Sequence, residues 1–444
     1  MKLKLLASFL VLITALDARA QATDLLGVFH SAESNDPVFA AARAVQQAGR
    51  EKLPQGRALL LPTVNFAANS TMNTVATQFT GTVPQIFQSG TSRYNSNGYG
   101  VTLVQPLFRQ QNWLAYSEAE LLVVQSDAQF QIAGQDLLLR SAQVYFDVLI
   151  AQDNVQLSEA QKTANLEQLA LAKRSFEVGS ATITDTNEAQ ARHDLTYAQE
   201  VAAQNNLAVR RGALQQLTNT SPDEIKPLGG ELNLSPPLPA DLEKWLAEAQ
   251  LHSPQLVIAQ AADELAVKEV AKNRSANYPT VDLVANYITS NAAGSMYGVG
   301  VDNINRSIGV QLNVPIYQGG ALNSKWREAE HNRERVRQEL ENARRSVAQQ
   351  TRQAYLGVVS GIAQVKALQQ ALISSASVLE SSKLGQEVGV RTNLDVLNAQ
   401  QQLYSTRRDL YQAEYNYLLS QLQLKAAAGM LEEADLARVN QALH

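Results

Sequence analysis

Phe176-Glu177-Val178-Gly179-Ser180-Ala181-Thr182-Ile183-Thr184-Asp185 closes one long proline-free run and opens another. The pattern returns 210 residues later as Gln386-Glu387-Val388-Gly389-Val390-Arg391-Thr392-Asn393-Leu394-Asp395. Gly179 and Gly389 suit the left-handed residue that ends a helix. Thr182-x-x-Asp185 and Thr392-x-x-Asp395 have the form of a capping box, in which a hydroxyl and an acid three residues on satisfy each other's backbone donors. Each stretch therefore reads as the tip of a helical hairpin.

Working outward from the tips, the whole chain repeats. Asp24-Leu25 matches Asp241-Leu242, Pro37 matches Pro254, and Leu61-Pro62-Thr63-Val64 matches Tyr278-Pro279-Thr280-Val281, each at an offset of 217. Gly100-Val101-Thr102-Leu103 matches Gly309-Val310-Gln311-Leu312 at 209, and Glu118-Ala119-Glu120 matches Glu328-Ala329-Glu330 at 210. The drift falls between elements, where insertions are tolerated. Two copies of one unit make up residues 21–220 and 241–430, joined by a linker at 221–240 rich in proline and glycine.

Each unit opens with a helical segment, Asp24 to about Leu53 and Asp241 to about Asn273. The period then changes to two. Ser307-Ile308-Gly309-Val310-Gln311-Leu312-Asn313-Val314 alternates cleanly, and Thr63 onward, Asn97 to Leu103 and Val281 to Tyr287 do so less strictly. Alternation over about ten residues marks a half-exposed strand. The expected strands are 63–77 and 93–106, then 280–290 and 306–315, with Pro106 and Pro315 ending the pairs. Ile308, Val310, Leu312 and Val314 would face lipid, and Ser307, Gln311 and Asn313 a lumen. Asn97-Gly98 is a hairpin signal by type, but it sits inside an alternating run. Long helices are expected at 112–177 and 322–387, with shorter return helices at 185–217 and 395–428. Val365, Leu368, Leu372, Ser375 and Leu379 step by three and four, as in coiled coils. Residues 431–444 would be a short helical segment.

Composition narrows the function. Residues 1–20 have a basic start, an apolar core from Leu5 to Leu16 and Ala18-Arg19-Ala20 before Gln21, the form of a secretory signal peptide. Cysteine is absent, which excludes disulfides and thiolate chemistry. No other continuous apolar run reaches the roughly 18 residues of a membrane helix, so strands are the expected route through a membrane. The net charge of -5 comes without a basic stripe, so nucleic acid is not an expected partner. His30, His193, His252, His331 and His444 are scattered, with no metal-ligand spacing. No catalytic constellation, cofactor motif or metal motif is present, and Gly319-Gly320 lacks the Lys-Ser/Thr of a phosphate loop.

Four strands cannot close a membrane barrel, and open edges are not viable in hydrocarbon. Two or more chains must pool strands; three would give twelve. Asp185 and Asp395 then have two compatible readings, as capping acids and as charges at the end of a pore. Crowded carboxylates at such an aperture would repel one another and raise some of their pKa values.

The residues resemble the TolC family of outer-membrane efflux and secretion channels. The stretches that carry the resemblance are Val314-Pro315-Ile316-Tyr317-Gln318-Gly319-Gly320, the two tips quoted above, and Tyr415-Asn416-Tyr417-Leu418-Leu419 with Gln421-Leu422. The resemblance implies a mixed, mainly α fold: a long coiled-coil-like α-helical barrel plus a transmembrane β-barrel with four strands per chain. It implies a homotrimer in outer-membrane lipid, with its helices in the periplasm of a Gram-negative cell. There it would meet a periplasmic adaptor and an inner-membrane pump or ABC transporter, in efflux or type I secretion. The linker and residues 431–444 would form an equatorial belt. By the same resemblance Asp395 is the first aperture acid, and Asn398 replaces the second. Thr184, Asp185 and Arg391 would hold the tip closed, Arg391 pairing with Thr184 or Asp185 of a neighbouring hairpin. Gln386 stands where the family has a tyrosine.

Two other classes compete with a passive export duct. A periplasmic coiled-coil scaffold or adaptor accounts for the helices but gives the duplicated strands no role. A surface enzyme on a helical stalk lacks its catalytic residues.

Overall fold

A computed structural model describes residues 23–441 apart from 83, 85–88, 221–224, 228, 230–231 and 296–298. The signal peptide, part of the linker and residues 442–444 lie outside the described residues. In chain order the elements are α1 (Leu25–Asn35), α2 (Pro37–Arg50), α3 (Lys52–Ala58), β1 (Thr63–Thr77), β2 (Gly90–Phe108), α4 (Gln110–Glu177) and α5 (Ile183–Thr218). There follow α6 (Leu242–His252), α7 (Pro254–Ser275), β3 (Thr280–Ala292), β4 (Val301–Asn313), α8 (Ala321–Glu387), α9 (Asn393–Ala427) and α10 (Glu433–Asn440). The second half repeats the order of the first. At 1.5 Å per residue, α4 and α8 are each about 100 Å long.

The opening segment of each repeat is not one helix. It breaks at Asp36-Pro37 in the first copy and at Ser253-Pro254 in the second. Proline has no N–H to donate and clashes with the preceding turn, so it begins a helix rather than continuing one. Asp36 caps the new start: its carboxylate accepts from Val38 N at 3.3 Å and Phe39 N at 3.1 Å. Arg140 Nη2, 2.8 Å away, pairs this buried acid. Asp24 and Asp241, matched between the repeats, cap α1 and α6 through Gly27 N and Glu243 N. Pro54 falls in the first turn of α3, where its missing N–H costs nothing.

The chain divides into two compact units. One comprises residues 45–127 and 257–342 and holds an antiparallel sheet in the order β1-β2-β3-β4, whose outer edges, β1 and β4, are unpaired within the chain. The register separates two faces. Val64, Phe66, Val101, Leu103, Leu283, Ala285, Ile308, Val310 and Leu312 share one face, and all but Leu103, Leu283 and Ala285 are exposed. The other carries Asn65, Thr102, Asn286, Ser307 and Gln311. On that polar face Thr102 Oγ1 donates to Asn286 Oδ1 at 3.0 Å, and Asn286 Nδ2 to Ser307 Oγ at 3.4 Å, linking three strands.

Two strand expectations are corrected, at Pro106 and at the bounds of β4, and the open reading of Asn97-Gly98 is decided. Pro106 does not end β2 but lies within it at a register shift between Pro106 and Phe108, where an irregular ladder needs no N–H from it. Asn97-Gly98 forms no turn; the pair lies opposite Ser70 and Asn69 in mid-strand. β4 starts at Val301 and stops at Asn313, so Val314 lies just past the strand. Where β2 passes into α4, Arg109 makes a bidentate pair with Asp282, Nε to Oδ1 at 2.8 Å and Nη2 to Oδ2 at 2.6 Å.

The other unit comprises residues 1–44, 128–256 and 343–444. Its core joins Leu25, Val28 and Phe29 of α1 to Tyr145, Phe146 and Leu149 of α4, with Leu214 of α5 and Tyr417, Leu418 and Leu422 of α9. The linker is tied to this core. Tyr417 Oη donates to Ser235 O at 2.9 Å and accepts from Ser235 N at 3.0 Å, while Tyr145 Oη donates to Lys226 O at 2.8 Å. Asn440 of α10 bonds Leu25 N and Asp24 Oδ2, joining the last helix to the first. By length and composition α8 contains an 18-residue window apolar enough to cross a membrane, with mean hydropathy 1.2. It has no continuous apolar run, because small and polar residues are interspersed along it.

Candidate pore entrance at the hairpin tips

Both tips are built alike. Gly179 has φ 75° and Gly389 φ 78°, a conformation that a Cβ disfavours. Ser180 N reaches back to Ser175 O at 2.8 Å, and Val390 N to Gly385 O at 2.8 Å, the six-residue closure of a Schellman motif. The capping boxes then start α5 and α9. Asp185 Oδ2 accepts from Thr182 N at 2.9 Å and Thr182 Oγ1 at 2.7 Å. Asp395 Oδ2 accepts from Thr392 N and Thr392 Oγ1 at 2.9 and 2.8 Å.

These donors favour the ionised carboxylate. The backbone and hydroxyl hydrogen bonds from Thr182 hold Asp185 below the usual carboxylate range. Those from Thr392, with a smaller contribution from the Arg391 charge, do the same for Asp395. Within one chain the direction is thus opposite to that expected from crowding, because each carboxylate is surrounded by donors.

The other tip residues are not all brought together. Arg391 Nη1 lies 3.8 Å from Asp395 Oδ1 of its own tip rather than against Thr184 or Asp185 of its chain. Thr184 is exposed. Gln386 Nε2 reaches only Asn393 Oδ1, at 3.4 Å, across its own tip. Asn398 is engaged by a residue that sequence reading passed over: Arg192 of α5 donates from Nη2 to Asn398 Oδ1 at 3.0 Å and from Nη1 to Gln401 Oε1. The signal available in the sequence was its position seven residues after Asp185, on the same face of α5.

Packing near the tips is thin. Leu169, Ala172, Ala189 and Leu397 form a small apolar cluster separate from the main core. Gln168 Oε1, Asn393 Nδ2 and Gln400 Oε1 are buried there without hydrogen-bond partners in the chain. Among the described residues, no group of three His, Cys, Asp or Glu could hold a metal ion.

The outer membrane efflux protein family model matches residues 28–220 and 245–430, once per repeat. The chain is 32% identical over 441 residues to the outer membrane protein TolC of Escherichia coli, covering 97% of this chain and 87% of that protein. It is 33% identical to the alkaline protease secretion protein AprF of Pseudomonas aeruginosa, covering 95% and 87%. The fold matches the CmeC outer membrane channel of Campylobacter jejuni with a TM-score of 0.78 at 17% identity, over 95% of this chain and 90% of that one. Two sequence repeats, a four-stranded sheet with an apolar face and two capped helical hairpins agree with these matches: the chain belongs to the outer membrane efflux protein family and is an export duct of the Gram-negative outer membrane.

Proposed function

We propose that three copies pool their sheets into one closed twelve-stranded barrel and pool their helices into a tube whose periplasmic entrance is formed by the hairpin tips. The observation that carries this reading is the sheet's pair of unpaired edges beside an exposed apolar face, with Ile308, Val310 and Leu312 each more than 60% exposed. Unpaired edges in hydrocarbon must find partners, and further copies of the same chain supply them. A periplasmic scaffold would leave that apolar face in water.

The duct is passive. Its energy comes from an inner-membrane pump, reached through a periplasmic adaptor that meets the tips. Asp395 lines the entrance with Asp185 nearby, and Asn398 contributes no charge. The Arg391 guanidinium, whose one ion pair among the described residues is an exposed 3.8 Å contact, can reach Thr184 or Asp185 of a neighbouring hairpin. The linker at 221–240, where it is described, and α10 within residues 431–444 form the belt around the tube. The test is the mass of the detergent-purified protein and its current in a planar bilayer. A trimer with discrete conductance steps supports the reading; a folded monomer that needs no detergent overturns it.

A further inference from the structure

We propose that Arg192 is the latch that ties the two helical hairpins of one protomer together behind the entrance. This rests on the reading that the tips form the entrance. Arg192 spans from α5 to α9, the two return helices, and its guanidinium bonds both Asn398 and Gln401. Among the described residues these are the side-chain hydrogen bonds that join α5 to α9. Asn398 lies one turn beyond Asp395 on the same face of α9, so the latch sits directly behind the tip acid.

Three features make this contact decisive. The apolar cluster beside it contains two leucines and two alanines, so little buried area holds the hairpins together here. Polar atoms on Gln168, Asn393 and Gln400 that lack a partner in the chain weaken the packing here further. Arg192 is itself anchored, because its carbonyl accepts from Thr196 Oγ1 at 2.8 Å, and Thr196 accepts from the buried Asn165 Nδ2 at 2.6 Å. That chain of bonds fixes the arginine's level on α5 against α4. Its acceptors on α9 are neutral amides, so the latch is weaker than an ion pair and can release without separating opposite charges.

The test is single-channel recording of the full chain in planar bilayers, with Arg192→Ala, Asn398→Asp and the double variant. Arg192→Ala should raise the ratio of open to closed states about 3- to 10-fold, the equivalent of one lost hydrogen-bonded contact. Asn398→Asp should lower it, because a neutral acceptor becomes a carboxylate facing the guanidinium. In the double variant the closing effect of Asn398→Asp should vanish, since its cation is gone. Asn398→Asp keeps the arginine in place and so tests the latch even if Arg192→Ala assembles poorly. Unchanged gating in Arg192→Ala, or the same Asn398→Asp effect with and without Arg192→Ala, overturns the latch. Block by periplasmic trivalent cations, compared between the wild-type channel and Asp395→Ala, tests the entrance separately. If Asp395→Ala removes the block while Arg192→Ala leaves gating unchanged, only the latch falls; if block is unchanged by Asp395→Ala, the entrance reading falls and the latch with it.

Discussion

Asp395 takes both the backbone N–H and the hydroxyl of Thr392 on a single oxygen, Oδ2, at 2.9 and 2.8 Å. The carboxylate is thereby oriented and kept ionised while Oδ1 stays turned toward Arg391. Capping and pore charge are therefore compatible roles for this residue. The Thr182–Asp185 pair repeats the arrangement 210 residues earlier, so both hairpins end in a fixed negative charge.

The sheet faces can be tested by charge insertion. Val310 lies opposite Leu283 on the apolar face, and Gln311 opposite Asp282 on the polar one. Val310→Arg should cost about 2–4 kcal/mol if the site is near the membrane midplane. Gln311→Arg should cost far less, with Asp282 nearby to accept it. Heat-modifiable mobility of the folded assembly on gels reads both. Equal tolerance would mean that the register is wrong.

Asp282 is buried, at 7% exposed, and depends on Arg109 for its charge balance. Arg109→Ala should destabilise the protein by about 1–3 kcal/mol, because it leaves Asp282 buried without its partner on the half-exposed side of the pair. Adding Asp282→Asn should recover most of that loss. Denaturant unfolding of the three proteins measures it; equal stability of Arg109→Ala and wild type would contradict the pairing.

A pH effect is expected between α4 and α9. Burial, with the Asp153 carboxylate adding to it, pushes Glu414 up to about 7. Burial also raises Asp153, although Tyr415 Oη donates to its Oδ2 at 2.8 Å. An acid whose folded pKa is raised favours folding while protonated, so its contribution is lost as pH climbs from about 4.3 toward that folded value. Glu414→Gln should match wild type near pH 4 and be more stable by about 1–3 kcal/mol at pH 8. Thermal unfolding at the two pH values decides; a pH-independent difference would show that Glu414 is not held neutral.

What the sequence made legible is what local physics decides. Tip glycines, capping boxes and period-two strands each depend on residues a few positions apart, and the repeat displays each pattern twice. The breaks at Pro37 and Pro254 were equally local, since a proline starts a helix more readily than it continues one. Pro106 was misleading because a proline that ends an ordinary strand is accommodated at an irregular step in the ladder. The level of Arg192 on the Asp185 face could be read, but its partners could not, since they lie 206 and 209 residues away. Those separations nearly equal the repeat offset, so equivalent levels of α5 and α9 meet, a fact that only the packed helices reveal.

The central claim is that the hairpin tips form a charged entrance to a trimeric duct, and the most direct measurement is block of single channels by a trivalent cation from the periplasmic side. Carboxylates gathered at a narrow aperture concentrate cations. The wild-type channel should be cation-selective and blocked, and Asp395→Ala should lose most of the block. Thr392 and Arg391 hold Asp395 below the ordinary carboxylate range, so block should weaken only as pH falls below that range. If Asp395→Ala leaves selectivity and block unchanged, Asp395 is only a helix cap and the entrance lies elsewhere.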